Sequence, residues 1–159
     1  MTKRTLLIAA LSLALLGGSP HLAWGDITAF LGASPTPVRH SARGFSLGVS
    51  LLVVGFEGEY ATLSHDVVRG APGLRTGSIN GMIQTPTRTQ LYVTTGVGFY
   101  REELGAARET NLATNIGGGV KIGLIGPLRL RLDYRVFHLR GTPIASNVQR
   151  FYAGANLAF

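Results

Sequence analysis

The chain of 159 residues contains no cysteine. That excludes a disulfide framework, a thiolate metal site and a cysteine nucleophile. Charge is scarce too: 14% of residues are charged and 45% hydrophobic, against an ordinary charged share of about 25%. Disordered chains need the opposite balance. Long apolar runs are missing except at the N-terminus, and beyond it no stretch approaches the roughly 20 residues of a membrane-spanning helix. Glycine, by contrast, is abundant at 22 residues, roughly twice its usual share of about 7%. The length suits one domain.

The single apolar run lies between Leu6 and Leu16, after Lys3 and Arg4 and before Gly17, Gly18, Ser19 and Pro20. Ala23-Trp24-Gly25 follows with small residues at the spacing a signal peptidase reads. A basic start, a short apolar core and a small-residue exit predict a secretory signal peptide. Residues 1–25 are therefore expected to be removed, leaving 26–159 as the mature domain with Asp26 first. Loss of Lys3 and Arg4 takes the formal charge from +7 to +5.

Downstream, apolar and polar residues alternate with period two. Leu128, Leu130, Leu132, Tyr134 and Val136 take one parity; Arg129, Arg131, Asp133 and Arg135 take the other. Successive strand side chains point to opposite faces, so this segment is a strand with one apolar and one charged face. The pattern recurs around residues 45–51, 54–60, 91–100, 116–124 and 151–159, and more weakly over 26–33 and 76–85. Eight strands follow. Long connections are expected at 34–44, 65–75, 101–111 and 140–147, with short turns near 53–54, 86–89 and 126–127. Their alternation describes an antiparallel up-and-down meander. Eight strands of roughly ten residues make the smallest bacterial outer-membrane barrel.

Glycine decides which face meets lipid. Gly48, Gly96, Gly98, Gly117, Gly119, Gly123 and Gly154 share the charged face. Small residues suit a narrow lumen crossed by a few long side chains, whereas on a soluble exterior they would only weaken the sheet. The apolar face carries Phe45, Tyr60, Phe99, Phe151 and Phe159 near strand ends, where an aromatic girdle belongs. The fold class predicted is thus all-β, an eight-stranded antiparallel transmembrane barrel.

A leader, eight meandering strands and a last strand reading Phe-Tyr-Ala-Gly-Ala-Asn-Leu-Ala-Phe over 151–159 resemble the small outer-membrane β-barrel family of Gram-negative bacteria, the OmpA-like and OmpX-like barrels. The resemblance implies export to the outer membrane, loops outside, termini in the periplasm and a monomer. It implies partners in outer-membrane lipid, lipopolysaccharide and the secretion and barrel-assembly machineries. It also implies that Phe151, Leu157 and Phe159 act as an assembly signal. With the chain stopping at Phe159, the peptidoglycan-binding domain of larger relatives is expected to be absent.

The charges define a candidate lumen network of Glu57, Glu59, Lys121, Arg129, Arg131, Asp133 and Arg135. The third and seventh strands face one another across an eight-stranded lumen that side chains nearly fill. Unpaired buried charges cost several kcal/mol, so pairing is expected, with Glu57, Glu59, Arg129 and Arg131 converging in the periplasmic half. A gated ion path is the alternative. Arg39, Arg43, Arg69, Arg75, Arg101, Arg108 and Arg140 fall at the outer loops, as a solvated surface or as candidate lipopolysaccharide contacts. The guanidinium fork fits a phosphate. Arg150 begins the eighth strand at the outer end. No contiguous basic stripe supports nucleic-acid binding.

No catalytic group, metal or cofactor is expected. Ser64, His65 and Asp66 hold triad residue types, but consecutive residues of an extended segment point apart. His138 has the outward parity of a lipid-modifying barrel enzyme, yet no serine lies two residues from it. His40, His65 and His138 sit in or beside separate loops. A structural or surface-interaction protein is the leading expectation, then a small passive pore, then a lipid A-modifying enzyme.

Overall fold

The computed structural model describes residues 23–36, 39–65, 72–104 and 107–159. The expected leader therefore lies almost wholly outside the described residues, as do Asp66 and Arg69. Eight strands follow in order: β1 (Ala23–Ser34), β2 (His40–Leu51), β3 (Val54–Leu63), β4 (Gly73–Gln84), β5 (Thr89–Leu104), β6 (Ala107–Gly123), β7 (Leu128–Leu139) and β8 (Asn147–Ala158). Each pairs antiparallel with its sequence neighbour, and β1 closes on β8 to complete the barrel. The start of β1, the end of β8 and the turns at 52–53, 85–88 and 124–127 lie at one end. The remaining four connections lie at the other.

Three connections differ from expectation. β2 already begins at His40, inside the long loop expected at 34–44, so Arg43 and Gly44 are strand residues. The segment expected as a long loop at 101–111 is a hairpin, with Arg101 opposite Thr110 and Glu103 opposite Arg108. This makes β5 and β6 16 and 17 residues long, while the other strands have 10 to 12. Beyond the apolar band a strand needs no lipid-facing side, so the apolar alternation fades while backbone pairing continues. The first turn sits one residue earlier than expected, at Leu52 and Val53, with Leu52 at φ +53°. A tight hairpin demands positive φ, and here a leucine supplies it.

The wall is inverted relative to a soluble domain. Ile27, Leu47, Val49, Ile79, Val93, Val97 and Ile116 are exposed, whereas Glu57, Asn80, Lys121, Arg131 and Arg135 are buried. Outward aromatics lie toward both ends: Phe45 beside Tyr60 at 5.9 Å between ring centroids and Tyr134 beside Phe151 at 4.5 Å on the loop side, and Trp24, Phe56 and Phe159 at the turn end.

Inside, glycines alternate with large side chains so that groups from flanking strands can meet across the strand between them. Gly96 on β5 lies in register between Asn80 and Asn115, whose side chains join at 2.8 Å. Gly119 on β6 lies between Tyr92 and Asp133, and the Tyr92 hydroxyl donates to Asp133 across it. A Cβ on Gly119 would run into the Leu132 backbone carbonyl oxygen and stand 2.6 Å from the Tyr92 hydroxyl. That close approach is why this position is glycine.

Candidate functional site: a layered lumen

The interior of the barrel is a stack of layers. Nearest the turn end, Lys121 Nζ meets Asp26 Oδ2 at 2.6 Å. Arg129 is only half-buried and donates from Nη1 to Gln90 Oε1 at 2.7 Å.

The central layer joins two carboxylates to two guanidinium groups. Glu57 is held by both Nη atoms of Arg131, by Arg135 Nη2 at 2.7 Å and by the Ser46 hydroxyl at 2.9 Å. Asp133 accepts from Arg131 Nη2 and Arg135 Nε, each at 3.0 Å. Arg131 Nε donates to the Tyr92 hydroxyl at 2.7 Å, and its guanidinium lies 4.9 Å from that ring centroid.

Arg135 reaches the next layer through an ion pair with Glu59 at 3.0 Å. Glu59 also takes Arg150 Nη1 at 3.2 Å and the Tyr152 hydroxyl at 2.8 Å. Arg150 stacks against Phe137, its guanidinium carbon 3.9 Å from the ring centroid. Above it Leu63, Leu74, Tyr100, Phe137, Leu139 and Val148 form a buried apolar layer toward the loop end.

Asp26, Glu57, Glu59 and Asp133 thus face Lys121, Arg131, Arg135 and Arg150, an electroneutral set among the described residues. Its membership differs from the sequence expectation. Arg150, expected at the outer end, points inward and is 1% exposed; Asp26 joins as well, while Arg129 pairs with no carboxylate among the described residues. Arg150 shares its parity with Tyr152, Gly154 and Asn156, the polar side of β8, so the alternation carried that signal. Asp26 had none beyond parity with Thr28.

The other expected site residues lie elsewhere. Phe151, Leu157 and Phe159 are exposed on the outward wall. Arg43, Arg75, Arg101 and Arg108 are exposed on strands, not in loops, and Arg39 and Arg140 lie in connections. The histidines are dispersed: His40 is buried, His65 lies at the loop-end rim, and outward His138 meets Asn147 Oδ1 through Nδ1 at 3.0 Å. At the loop end, Glu109 accepts from the Thr142 backbone N–H at 2.7 Å, and Glu102 from that of Ile144 at 3.1 Å. These carboxylates pin the β7–β8 connection to the long hairpin.

No family model matches the chain, and no curated protein is similar to it in sequence. Solved structures are. The N-terminal β-barrel domain of Pseudomonas aeruginosa OprF has a TM-score of 0.66 at 18% identity, over 86% of this chain and 97% of that one. Neisserial surface protein A has a TM-score of 0.64 at 14% identity, over 86% and 95%. Ail, the attachment invasion locus protein of Yersinia pestis, in complex with the heparin analogue sucrose octasulfate, has a TM-score of 0.55 at 14% identity, over 86% and 98%. The outer-membrane enzyme PagL has a TM-score of 0.50 at 12% identity, over 83% and 98%. Exposed apolar wall, polar lumen and these likenesses together define the class. The chain has the fold of the small eight-stranded outer-membrane β-barrels, OmpA-like and OmpX-like.

Proposed function

We propose that this chain is an integral outer-membrane protein with a structural or surface-contact role, and that its lumen is a plug, not a conduit. One observation carries the reading. Four buried carboxylates and four buried cations neutralise one another along the axis, and an apolar layer roofs them. An ion entering this lumen would have to break buried charge pairs and then cross a predominantly apolar layer. In planar bilayers the refolded barrel is expected to show no discrete conductance steps. Steady ohmic current that responds to charge changes at Glu57 or Arg135 would replace the plug with a passive pore.

The same reading places the termini and short turns in the periplasm and the longer connections outside, as in bacterial barrels generally. The chain is expected to fractionate with outer membranes and to shift its gel mobility on boiling. Residues 1–25 act as the export leader. β1 begins at Ala23, and Gly25 exchanges two backbone hydrogen bonds with Phe159 at 2.8 and 2.9 Å. Cleavage before Asp26 therefore trims one pair from the closing seam and leaves the Asp26–Lys121 bond intact. Phe151, Leu157 and Phe159 present the outward residues of the assembly signal. A lipid-modifying activity gains no support from His138, whose ring nitrogen meets an asparagine. Unchanged lipid A in an overexpressing strain is the expected result.

A further inference from the structure

The strand register draws three of the outer arginines into one line. Arg43 on β2 is opposite Thr62 on β3, Thr62 is opposite Arg75 on β4, and Arg75 is opposite Arg101 on β5. All three arginines are exposed on the outward face. Adjacent strands lie about 4.8 Å apart, so Arg75 and Arg101 are near neighbours and Arg43 stands roughly 10 Å from Arg75. Among the described residues the carboxylate that reaches this row is Glu103, 3.1 Å from Arg101 Nε and 3.9 Å from Arg108. Among the described residues, three arginines and the flanking Arg108 against one carboxylate leave the row positive.

Its depth is set by the residues below it. Two positions toward the turn end, the same strands carry Phe45, Tyr60, Gly77 and Phe99 on the same face. Aromatic residues mark the membrane interface, so the arginines lie at the level of lipid headgroups, where a guanidinium pair binds a phosphate best. The wall beside the row is also hollow. A groove of about 580 Å³ runs from Arg43 and Thr62 down past Leu31, Ala29, Ala153 and Ala155. Leu31 is the register neighbour of Arg43, and Ala153 that of Leu31. Small outward residues on β8 and β1 leave space that Phe45 and Tyr60 border on one side. Arg43 heads this apolar channel, and Arg75 and Arg101 extend the positive row away from it along the rim, which matches a ligand with more than one phosphate and with acyl chains.

We propose that Arg43, Arg75 and Arg101 form a phosphate-binding row that seats a phosphorylated, acylated glycolipid of the surrounding leaflet, with one acyl chain in the hollow lined by Ala29, Ala153 and Ala155. The inference rests on the outer-membrane reading and narrows the outer arginines to one registered site; Arg39 and Arg140 lie apart from it.

The test uses the mature barrel refolded in detergent, each preparation first checked for its boiling-dependent mobility. Lipid A bearing two phosphates is titrated in, and retained lipid is counted by native mass spectrometry. Saturable binding is expected, at least about tenfold weaker in R43Q/R75Q/R101Q, as loss of charge-assisted bonds implies. A similar loss is expected for dephosphorylated lipid A on the unaltered barrel, with none for R39Q/R140Q. Ala153→Phe with Ala155→Phe fills the hollow and should weaken lipid A binding several-fold. Unaltered affinity in the triple variant overturns the row, and equal binding of dephosphorylated lipid A overturns the phosphate assignment. Full affinity in the filled variant removes the acyl seat. Capture of soluble heparin through the same arginines, with no lipid A retained, refutes the lipid and makes the row a soluble-polyanion site. Membrane fractionation of the expressed protein tests the parent reading separately, so the two failures are distinguishable.

Discussion

Replacing Glu57 by alanine probes the lumen most directly. The carboxylate is fully buried and serves two guanidinium groups and one hydroxyl at once. Its removal leaves Arg131 and Arg135 sharing Asp133 within the central layer, with one uncompensated positive charge in a set that was neutral. Breaking a buried pair from one side costs about 3–5 kcal/mol, because the stranded partner stays desolvated. Arg135 keeps Glu59 at 3.0 Å, so the lower half of that range is expected, about 3 kcal/mol. Glu57→Ala with Arg131→Met removes one charge of each sign and restores neutrality, leaving Asp133 to Arg135. The double variant should therefore be more stable than the sum of the two single losses, by about 1–3 kcal/mol of coupling. Urea unfolding in lipid vesicles, followed by the mobility difference between folded and unfolded barrel, measures all four proteins. Glu57→Ala within about 0.5 kcal/mol of the parent, with additive singles, would mean that water reaches this layer and that the lumen is not a plug.

Four further outcomes follow from the same geometry. Val97 is 62% exposed on the outward wall of β5, so Val97→Arg should cost about 2–4 kcal/mol in a bilayer if it lies near the midplane; equal stability of variant and parent in vesicles would put the wrong face in lipid. Gly119→Ala drives a methyl group into the Leu132 backbone carbonyl and against the Tyr92 hydroxyl that bonds Asp133 and should cost about 1–3 kcal/mol or more by overpacking, read from the same unfolding curves. Leu52 holds φ +53° at an exposed turn, so Leu52→Gly should be neutral to stabilising by up to about 1 kcal/mol; a marked loss would show that the leucine side chain matters there. Glu109→Gln removes the charge that accepts both the Thr142 backbone N–H and its hydroxyl, and hydrogen exchange across residues 140–146 should accelerate while the strands stay protected.

The alternation of side chains is a local property, and it was enough to assign the faces of the wall. Leu132 and Arg131 point apart because consecutive strand residues must, whatever the rest of the chain does. Eight such segments joined by alternating long and short connections leave few topologies besides a meander, and the glycines on the polar face indicate that this face is the crowded one. Parity, however, says nothing about height. Arg129 and Arg131 share a face and are two residues apart, yet one pairs with a glutamine and the other with Glu57. The difference arises from the stagger of the closed sheet, which fixes the level at which strands on opposite walls meet. That same stagger places Asp26, in the least patterned strand, against Lys121, and brings Arg150 under Phe137 to Glu59. It also aligns Arg43, Arg75 and Arg101, which lie 26 to 58 residues apart in the chain, into one row. Where the alternation lapsed, in the polar extension of β5 and β6, the strands were not legible at all, because pairing outside lipid places no demand on side-chain polarity. Which face each residue takes was written locally in the sequence; which residues meet was decided only by closing the barrel.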